Sequence, residues 1–399
     1  MSSFNILAIE TSCDETSIAI LRIENEKISI LSNRISSQIS LHSQWGGVVP
    51  NLAAREHTKN IPLVLSEALS ETEITLEQID LISVTNGPGL IPALLVGVNF
   101  AKTLAYLLEK PLLGIHHIEG HIYANFIFDK VGSISNFQFP ISKQISKSKC
   151  QNKKTSLNED CKLKIENSTS ISFPALVLVV SGGHTQLVLM KNHLEYELIG
   201  QTLDDAVGEA FDKVARILNI GYPGGPAVSA LAETASNKLQ VTSNKKYDIE
   251  FPRPMLHSKN FDFSFSGLKT AVLYETKKNP YLLKDKDYVA EICHEFQQAC
   301  IDVLVSKTIK AAEQFKPKTI LLAGGVSANT ELRKRLGKIV QESMPNTIYQ
   351  IPNTDLTGDN AAMIGAAAHF RWQKMTAKEH QIALKNWQNL QTDANLKLR

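Results

Sequence analysis

The chain of 399 residues is 43% hydrophobic and 21% charged, with a formal net charge of +2. That length and apolar content predict two domains of ordinary size, and the near balance of charge argues against nucleic-acid binding driven by bulk charge rather than by a local patch. Five cysteines without a C-x-x-C pair argue against a thiolate zinc site or redox dithiol; with no signal peptide, Arg-rich leader or apolar run of membrane-spanning length, the expected compartment is the cytoplasm, with no membrane partner.

Regular structure is expected almost at once. Residues 6–21 read ILAIETSCDETSIAIL, two apolar β-type runs around a polar, acidic turn, which is the pattern of a hairpin. Residues 80–105 give a buried strand, a Gly/Pro turn and a run of helical period. The stretch 87–108 is apolar on more than one face, as suits a core helix or an interface helix. His117 and His121 then stand at i and i+4; on a helix they share a face, which suits a divalent metal. Glu119 lies two residues after the first histidine, not one as in the zinc-protease H-E-x-x-H, so it points away from the position of that general base.

Residues 131–172 hold nine serines and seven lysines without helical or strand period. They read as a flexible surface insertion whose basic balance suits either contact with RNA or a solvated linker. Residues 176–190, LVLVVSGGHTQLVLM, repeat the hairpin pattern, and residues 318–336 repeat strand, glycines, helix. Two such halves predict a duplicated α/β fold, mixed sheets with helices on their faces. The expected boundaries are an N-terminal lobe at 1–128, completed by C-terminal helices at about 360–399, the insertion at 129–172, and a second lobe at 173–359.

Three glycine loops favour a bound nucleotide. Ser181-Gly182-Gly183 lets backbone N–H groups approach an anion, residues 221–226 form a second loop, and residues 324–329 lie between a strand and a helix N-terminus. In DDAVGEAFDK (residues 204–213) Asp205, Glu209 and Asp212 share a helical face among packed apolar neighbours, making Asp212 a candidate partner for a ligand hydroxyl. Asp359, just before a helix of small residues, is the best third ligand for the histidine pair; capping that helix is its alternative use.

In order along the chain, ETSCDET (10–16), HHIEGH (116–121), VSGGHTQL (180–187), DDAVGEAFDK (204–213), YPGGP (222–226), FPRPML (251–256) with DFSFSGLKTAV (262–272), GGVSAN (324–329) and TGDNAAMIG (357–365) resemble the tRNA N6-adenosine threonylcarbamoyltransferases. This is the bacterial TsaD branch, once labelled glycoprotease. The resemblance covers nearly the whole chain, departing at 131–172, where the connection is longer, and in the tail from about Phe370. It implies an actin/Hsp70/sugar-kinase-like (ribonuclease H-like) two-lobed fold with a central nucleotide cleft. It implies one divalent metal, Fe(2+) ahead of Zn(2+), on His117, His121 and Asp359. Val179, Val180, Ser181, Gly182 and Gly183 would line threonylcarbamoyl-AMP, with Asp212, Gly225 and Asn329 at its adenosine part.

The reaction so implied moves the threonylcarbamoyl group to N6 of adenosine 37, in tRNAs reading codons that begin with A. Asp14 or Glu15, on the acidic turn, would take the proton. A smaller fold relative (TsaB), docked through the N-terminal lobe, and a P-loop ATPase (TsaE) are the implied partners. A small-molecule kinase of the same fold leaves the histidine pair unexplained. The spacing of Glu119 counts against a metalloprotease, and a silent scaffold would be expected to lack the histidines.

Overall fold

The computed structural model describes residues 3–128, 171–242 and 246–398, so the expected insertion lies outside the described residues except for its last two. The first hairpin is β1 (Phe4–Glu10) and β2 (Glu15–Glu24), antiparallel from Phe4 opposite Ile23 to Glu10 opposite Ser17. β3 (Lys27–Ser37) extends it. After α1 (Ile39–His42) and α2 (Pro50–Ser70), β4 (Leu81–Gly87) joins β1 in parallel, and α3 (Ile91–Leu108) leads to β5 (Leu112–His116), parallel to β4. The sheet order is β3-β2-β1-β4-β5, and α4 (His117–Tyr123) leaves directly from its edge.

The second half repeats this plan. β6 (Ala175–Val180) and β7 (Thr185–Asn192) form the hairpin, followed by β8 (Glu195–Gln201). Then come α5 (Val207–Leu218), α6 (Gly224–Thr242), α7 (Ser266–Lys278) and α8 (Lys286–Phe315). β9 (Thr319–Ala323), α9 (Thr330–Ser343) and β10 (Ile348–Gln350) complete the order β10-β9-β6-β7-β8, the counterpart of the first sheet. The chain ends with α10 (Ala361–Lys374), α11 (Ala377–Ala383) and α12 (Asn386–Asn389).

Strand alternation decides which core each residue joins. Leu7, Ile9, Ile18 and Ile20 face α2 and α3, packing on Ile61, Val64, Val98 and Ala101. Ile6, Ala8, Ala19 and Leu21 face the other way, onto the alanines of α10. That second core also takes Val177 and Val179 of β6, so α4 and α10 lie between the two sheets. The small residues of α10 are what permit this approach. A Cβ on Gly365 would lie 2.5 Å from Leu21 Cδ1 and 3.2 Å from Ala8 Cβ, so a larger residue there would force Leu21 to repack. Truncating Leu21 to Ala would cost about 2–5 kcal/mol through lost burial and the cavity left behind.

α4 is pinned by a buried charge. Glu119, wholly buried, accepts two parallel bonds from Arg371 of α10, at 2.5 and 2.6 Å. The expectation that no apolar run reaches membrane-spanning length needs correction: α3, 18 residues with mean hydropathy 1.6, is long and apolar enough by those measures. Here it is a packed helix whose Ala93, Leu94, Val98 and Ala101 are buried, while Ile91, Leu95, Tyr106 and Leu107 are exposed. The tail returns to it: Trp387 meets Tyr106 at 4.7 Å, and Lys102 Nζ donates to Leu390 O at 3.2 Å.

Candidate metal centre and substrate cleft

α4 places its two histidines at the meeting of both halves. His116 ends β5 and accepts from Ile118 N at 3.1 Å, fixing the first turn so that His117 and His121 lie on one face, edge to face, with ring centroids 4.6 Å apart. Asp359 closes the group. Its Oδ1 lies 3.2 Å from His121 Nε2 and 3.5 Å from His117 Nε2. The helix cap that sequence alone offered to Asp359 is made by Asn360, which accepts from Met363 N at 3.1 Å, and this leaves the Asp359 carboxylate to the histidines.

The three donors fit a divalent cation. Two ligand atoms in a tetrahedral shell with bonds of about 2.1 Å lie about 3.4 Å apart. The two contacts to Asp359 are of that size, and one ligand atom from each residue lies within 4.8 Å of the others. His121 is buried; its Nδ1 has no hydrogen-bond partner and its Nε2 faces only the Asp359 carboxylate, a demand that an ion between them would meet. His117 uses its other nitrogen. Nδ1 is 3.2 Å from Glu10 Oε2 and 3.2 Å from Ser12 Oγ, the carboxylate contact that commonly orients a ligating histidine.

Glu10 itself is fully buried; it accepts from Thr85 Oγ1 and from Ser12 N, each at 2.5 Å. Burial alone would depress the His117 pKa, but the carboxylates of Asp359 and Glu10 carry it up to about 9. Reading the sequence did not single out Glu10 or Ser12. The only available signal was an acid closing an otherwise apolar strand. His184, in the glycine hairpin, was also passed over: burial and then the charges of His117 and His121 push its pKa down to about 4.

On the acidic turn, Asp14 is buried and Glu15 opens β2 with its Oε1 accepting from Ser37 Oγ at 3.0 Å. Burial, then the neighbouring charges of Asp14 and Asp359, push the Glu15 pKa up to about 9. Glu15 therefore retains its proton at neutral pH and shares a hydrogen bond with Asp14.

Across the cleft, Ser181 N donates to His184 O at 2.8 Å and His184 N donates to Ser181 Oγ at 3.1 Å, forming a tight hairpin turn. Nothing lies within 4 Å of a Cβ built on Gly182 or Gly183, so their backbone faces open space. Val179 and Val180 are different: both residues are wholly buried in the sheet, so they back the hairpin and present no surface of their own to the cavity. Gly324 holds φ +88°, and a Cβ there would come within 2.4 Å of Val180 O, so glycine is required where β9 turns toward α9.

Gly182, Phe211, Asp212, Gly225, Ser229 and Asn329 line one cavity of about 410 Å³, within the range of small-molecule sites. Asp212 accepts from Gly224 N at 2.7 Å through Oδ1, and burial raises its pKa. Asn329 caps α9 by accepting from Leu332 N at 2.9 Å, and its amide donates to Ser229 Oγ and Gln297 Oε1 at 2.9 and 2.8 Å. The expected acidic face needs correction. α5 begins only at Val207, so Asp205 lies before it and pairs with Lys213 at 2.7 Å and Lys269 at 3.3 Å, while Glu209 pairs with Lys213. Only Asp212 of the three reaches the cavity.

Fold and site together define a duplicated α/β protein of the actin/sugar-kinase-like class, with a cavity of nucleoside size beside a His-His-Asp cluster able to hold a metal. HypF of T. kodakarensis shares the fold, with a TM-score of 0.54 at 14% identity over 94% of this chain and 49% of that one. The sequence pattern of the tRNA N6-adenosine threonylcarbamoyltransferase family (TsaD) matches residues 29–146 and 159–366. The Thermosipho africanus protein of that name is 45% identical, covering 92% of this chain and 94% of its own. Those of Staphylococcus haemolyticus and Listeria monocytogenes are 42% and 44% identical, covering 94% and 91% of this chain and 93% and 90% of their own. The chain belongs to the tRNA N6-adenosine threonylcarbamoyltransferase family.

Proposed function

We propose that the chain is an acyltransferase that moves the threonylcarbamoyl group of threonylcarbamoyl-AMP to N6 of adenosine 37 in tRNAs reading codons that begin with A. The products are N6-threonylcarbamoyladenosine and AMP. The observation that carries this reading is that one turn serves both halves of the site: Gly182 lines the cavity, while His184, two residues on, lies beside His117 and His121. An adenylate with its nucleoside against Asp212, Gly225 and Asn329 would run its phosphate past Ser181–Gly183 and bring its acyl group to His117, His121 and Asp359.

N6 of adenine attacks the carbamoyl carbon, the bond from that carbon to the phosphate oxygen breaks, and AMP leaves with the charge on phosphate. Backbone N–H groups of Gly182 and Gly183 stabilise that charge, while that of Ser181 holds the turn by donating to His184 O. The N6 proton passes to the carboxyl pair of Asp14 and Glu15 on the acidic turn. Glu10 and Ser12 orient His117, and Asn360 holds the start of α10 so that Asp359 stays aimed at the histidines. His117, His121 and Asp359 would hold a divalent ion, which would supply Lewis acidity when bound; two histidines and one carboxylate suit Fe(2+), with Zn(2+) second. The metalloprotease reading loses its base, since Glu119 is committed to Arg371.

A smaller relative of the same fold (TsaB) and a P-loop ATPase (TsaE) complete the system in this reading, in the cytoplasm. The exposed Leu95, Tyr106 and Leu107 of α3 supply an apolar face for the former. Residues 1–128 with 360–399 form one lobe and 173–359 the other, in keeping with the packing of α10 on the first sheet. The test is incubation with tRNA, threonine, bicarbonate, ATP and the partner enzymes, followed by nucleoside analysis. Modified adenosine that depends on this chain is the expected result. Its absence, beside phosphorylation of a small molecule, would transfer the protein to the kinases of this fold.

A further inference from the structure

Between α1 and α2 the chain makes a short overhang, a 3-10 turn over Ser43–Trp45 that ends at Gly46 in left-handed backbone, φ 64°. It is fastened to the acidic turn from beneath. Gln38 N donates to Asp14 O at 3.1 Å. His42, wholly buried, accepts from Val49 N at 3.3 Å through Nδ1 and meets Gln38 Oε1 at 3.1 Å through Nε2. His57 Nε2 donates to Cys13 O at 3.0 Å, and its Nδ1 accepts from Thr16 Oγ1 at 2.8 Å. On its other side the overhang reaches the second half of the molecule, where Arg216 of α5 donates to Gly46 O. Arg216 stands one helical turn after Asp212, which lines the nucleoside cavity. The overhang therefore spans the rim of the cleft, from Asp14 to α5.

On this rim sits a large aromatic side chain that the fold leaves uncovered. Trp45 is 64% exposed. With Val49, Asn51, Leu52 and Arg55 it lines an open niche of about 300 Å³. Arg55 is exposed and has no ion-pair partner among the described residues. An indole face beside a guanidinium is the chemistry that takes an unstacked nucleobase and its phosphate. The niche is too small for a helix, and its lining, mostly apolar around the indole with the Arg55 guanidinium beside it, suits one flat base with a phosphate next to it.

We propose that the Trp45–Arg55 niche holds the nucleobase adjoining the acceptor adenosine in the tRNA loop, with Trp45 stacked on its face and Arg55 on its phosphate. This rests on the transferase reading. The acceptor must leave its own stack to bring N6 to Asp14, and the neighbouring base then loses a stacking partner. Trp45 restores one at the position where the strand crosses the rim, so the two bases part without leaving either face in water.

The experiment uses the metal-loaded full chain with its partner proteins at saturation. Trp45→Ala should raise the KM for tRNA by about 10- to 100-fold and leave the saturated single-turnover rate within about threefold, while Trp45→Phe restores most of the affinity. Arg55→Ala should raise the same KM and lower the slope of log affinity against log salt by about 0.7. Trp45 emission, taken as the difference between wild type and Trp45→Phe, should be quenched by tRNA. Unchanged KM in Trp45→Ala and Arg55→Ala overturns the proposal. So does an equal loss toward free adenylate, which would mean a distorted cleft, or a loss confined to binding of a protein partner. Should the wild type itself modify no tRNA, the transferase reading fails first; an active wild type with indifferent variants sinks the niche alone.

Discussion

Glu10 Oε2 lies 3.2 Å from His117 Nδ1 inside the protein, and this contact turns the other ring nitrogen of His117 toward Asp359. With the carboxylates of Asp359 and Glu10 on either side, the His117 pKa stands at about 9 in spite of burial. A ligand nitrogen must shed that proton to bind an ion. Metal binding at pH 7 should therefore release a proton, and apparent affinity should climb with pH until about 9. Glu10→Gln should lower the His117 pKa and shrink the release. Calorimetric titration in buffers of different ionisation heat reads this directly, and heats independent of buffer at pH 7 would contradict it. The same histidine stabilises the ion-free fold below its ordinary pKa of 6.5, and that contribution is lost as pH rises through about 9.

His117→Ala and His121→Ala should each abolish retained metal and transfer activity while leaving the secondary structure intact. His121 contacts only the Asp359 carboxylate, which keeps its contact with His117 when the imidazole is removed, so what remains is a modest buried cavity in α4. Metal analysis after gel filtration, beside circular dichroism, is the check. Full metal content in the double variant would remove the centre from these residues.

Asn329 and Asp212 call for substitutions that spare their bonds to the backbone. Asn329→Ala deletes the cap of α9 at about 1 kcal/mol and so confounds binding with stability. Asn329→Asp keeps the capping oxygen and loses the amide donors, and Asp212→Asn keeps an acceptor for Gly224 N. Each should weaken a non-reactive adenylate analogue by about 1–3 kcal/mol, roughly one to two orders of magnitude; Asp212→Asn should leave the melting temperature nearly unchanged, while Asn329→Asp should lower it through loss of the bonds to Ser229 and Gln297. Unaltered affinity in both would dissolve the assignment of the cavity to a nucleoside.

Glu15 gives a pH signature of its own. Its folded pKa of about 9 lies above the ordinary 4.5, so the native state holds a proton that the unfolded chain has lost across that interval. Stability from this group is present below about pH 4.5 and declines as pH rises toward 9. Glu15→Gln, which cannot ionise, should flatten the alkaline side of the stability profile of the ion-free protein. A chemical denaturation series from pH 5 to 9 tests it, and parallel profiles for variant and wild type would place the proton elsewhere.

Arg371→Ala should destabilise the fold by about 3 kcal/mol, because it leaves the buried Glu119 without its partner. Adding Glu119→Gln should return part of that loss. Metal affinity should fall with the single variant, since α4 carries both Glu119 and the histidine pair. Equal stability of wild type and Arg371→Ala would show that the pair holds nothing.

Much of the fold was legible because its signals are local. The alternation in residues 6–21 and 176–190 is a property of neighbours on a strand, and both stretches form the antiparallel hairpins β1–β2 and β6–β7. His117 and His121 share a face because four residues on a helix bring side chains together whatever surrounds them. The acidic run at 204–213 misled for the same reason. Helical spacing assumed a helix through Asp205, whereas Asp204 accepts from Phe265 N at the start of α7 and holds the chain out of helix there.

What the sequence determined by itself was the set of elements, their duplication and the residue types able to bind an ion and an anion. Periodicity and turn chemistry act over a few residues, and those features are written at that range. The tertiary structure alone decided the partners: that Asp359 meets the histidines while Asn360 takes the cap, that Glu10 rather than solvent holds His117, and that Arg216 ties Gly46 across the cleft. Each of these joins residues far apart in the chain. Each depends on how closely a helix of alanine and glycine can approach a strand, on which side of a strand a residue falls, and on where a helix begins. Those are matters of packing, settled only when both sheets close on α4 and α10.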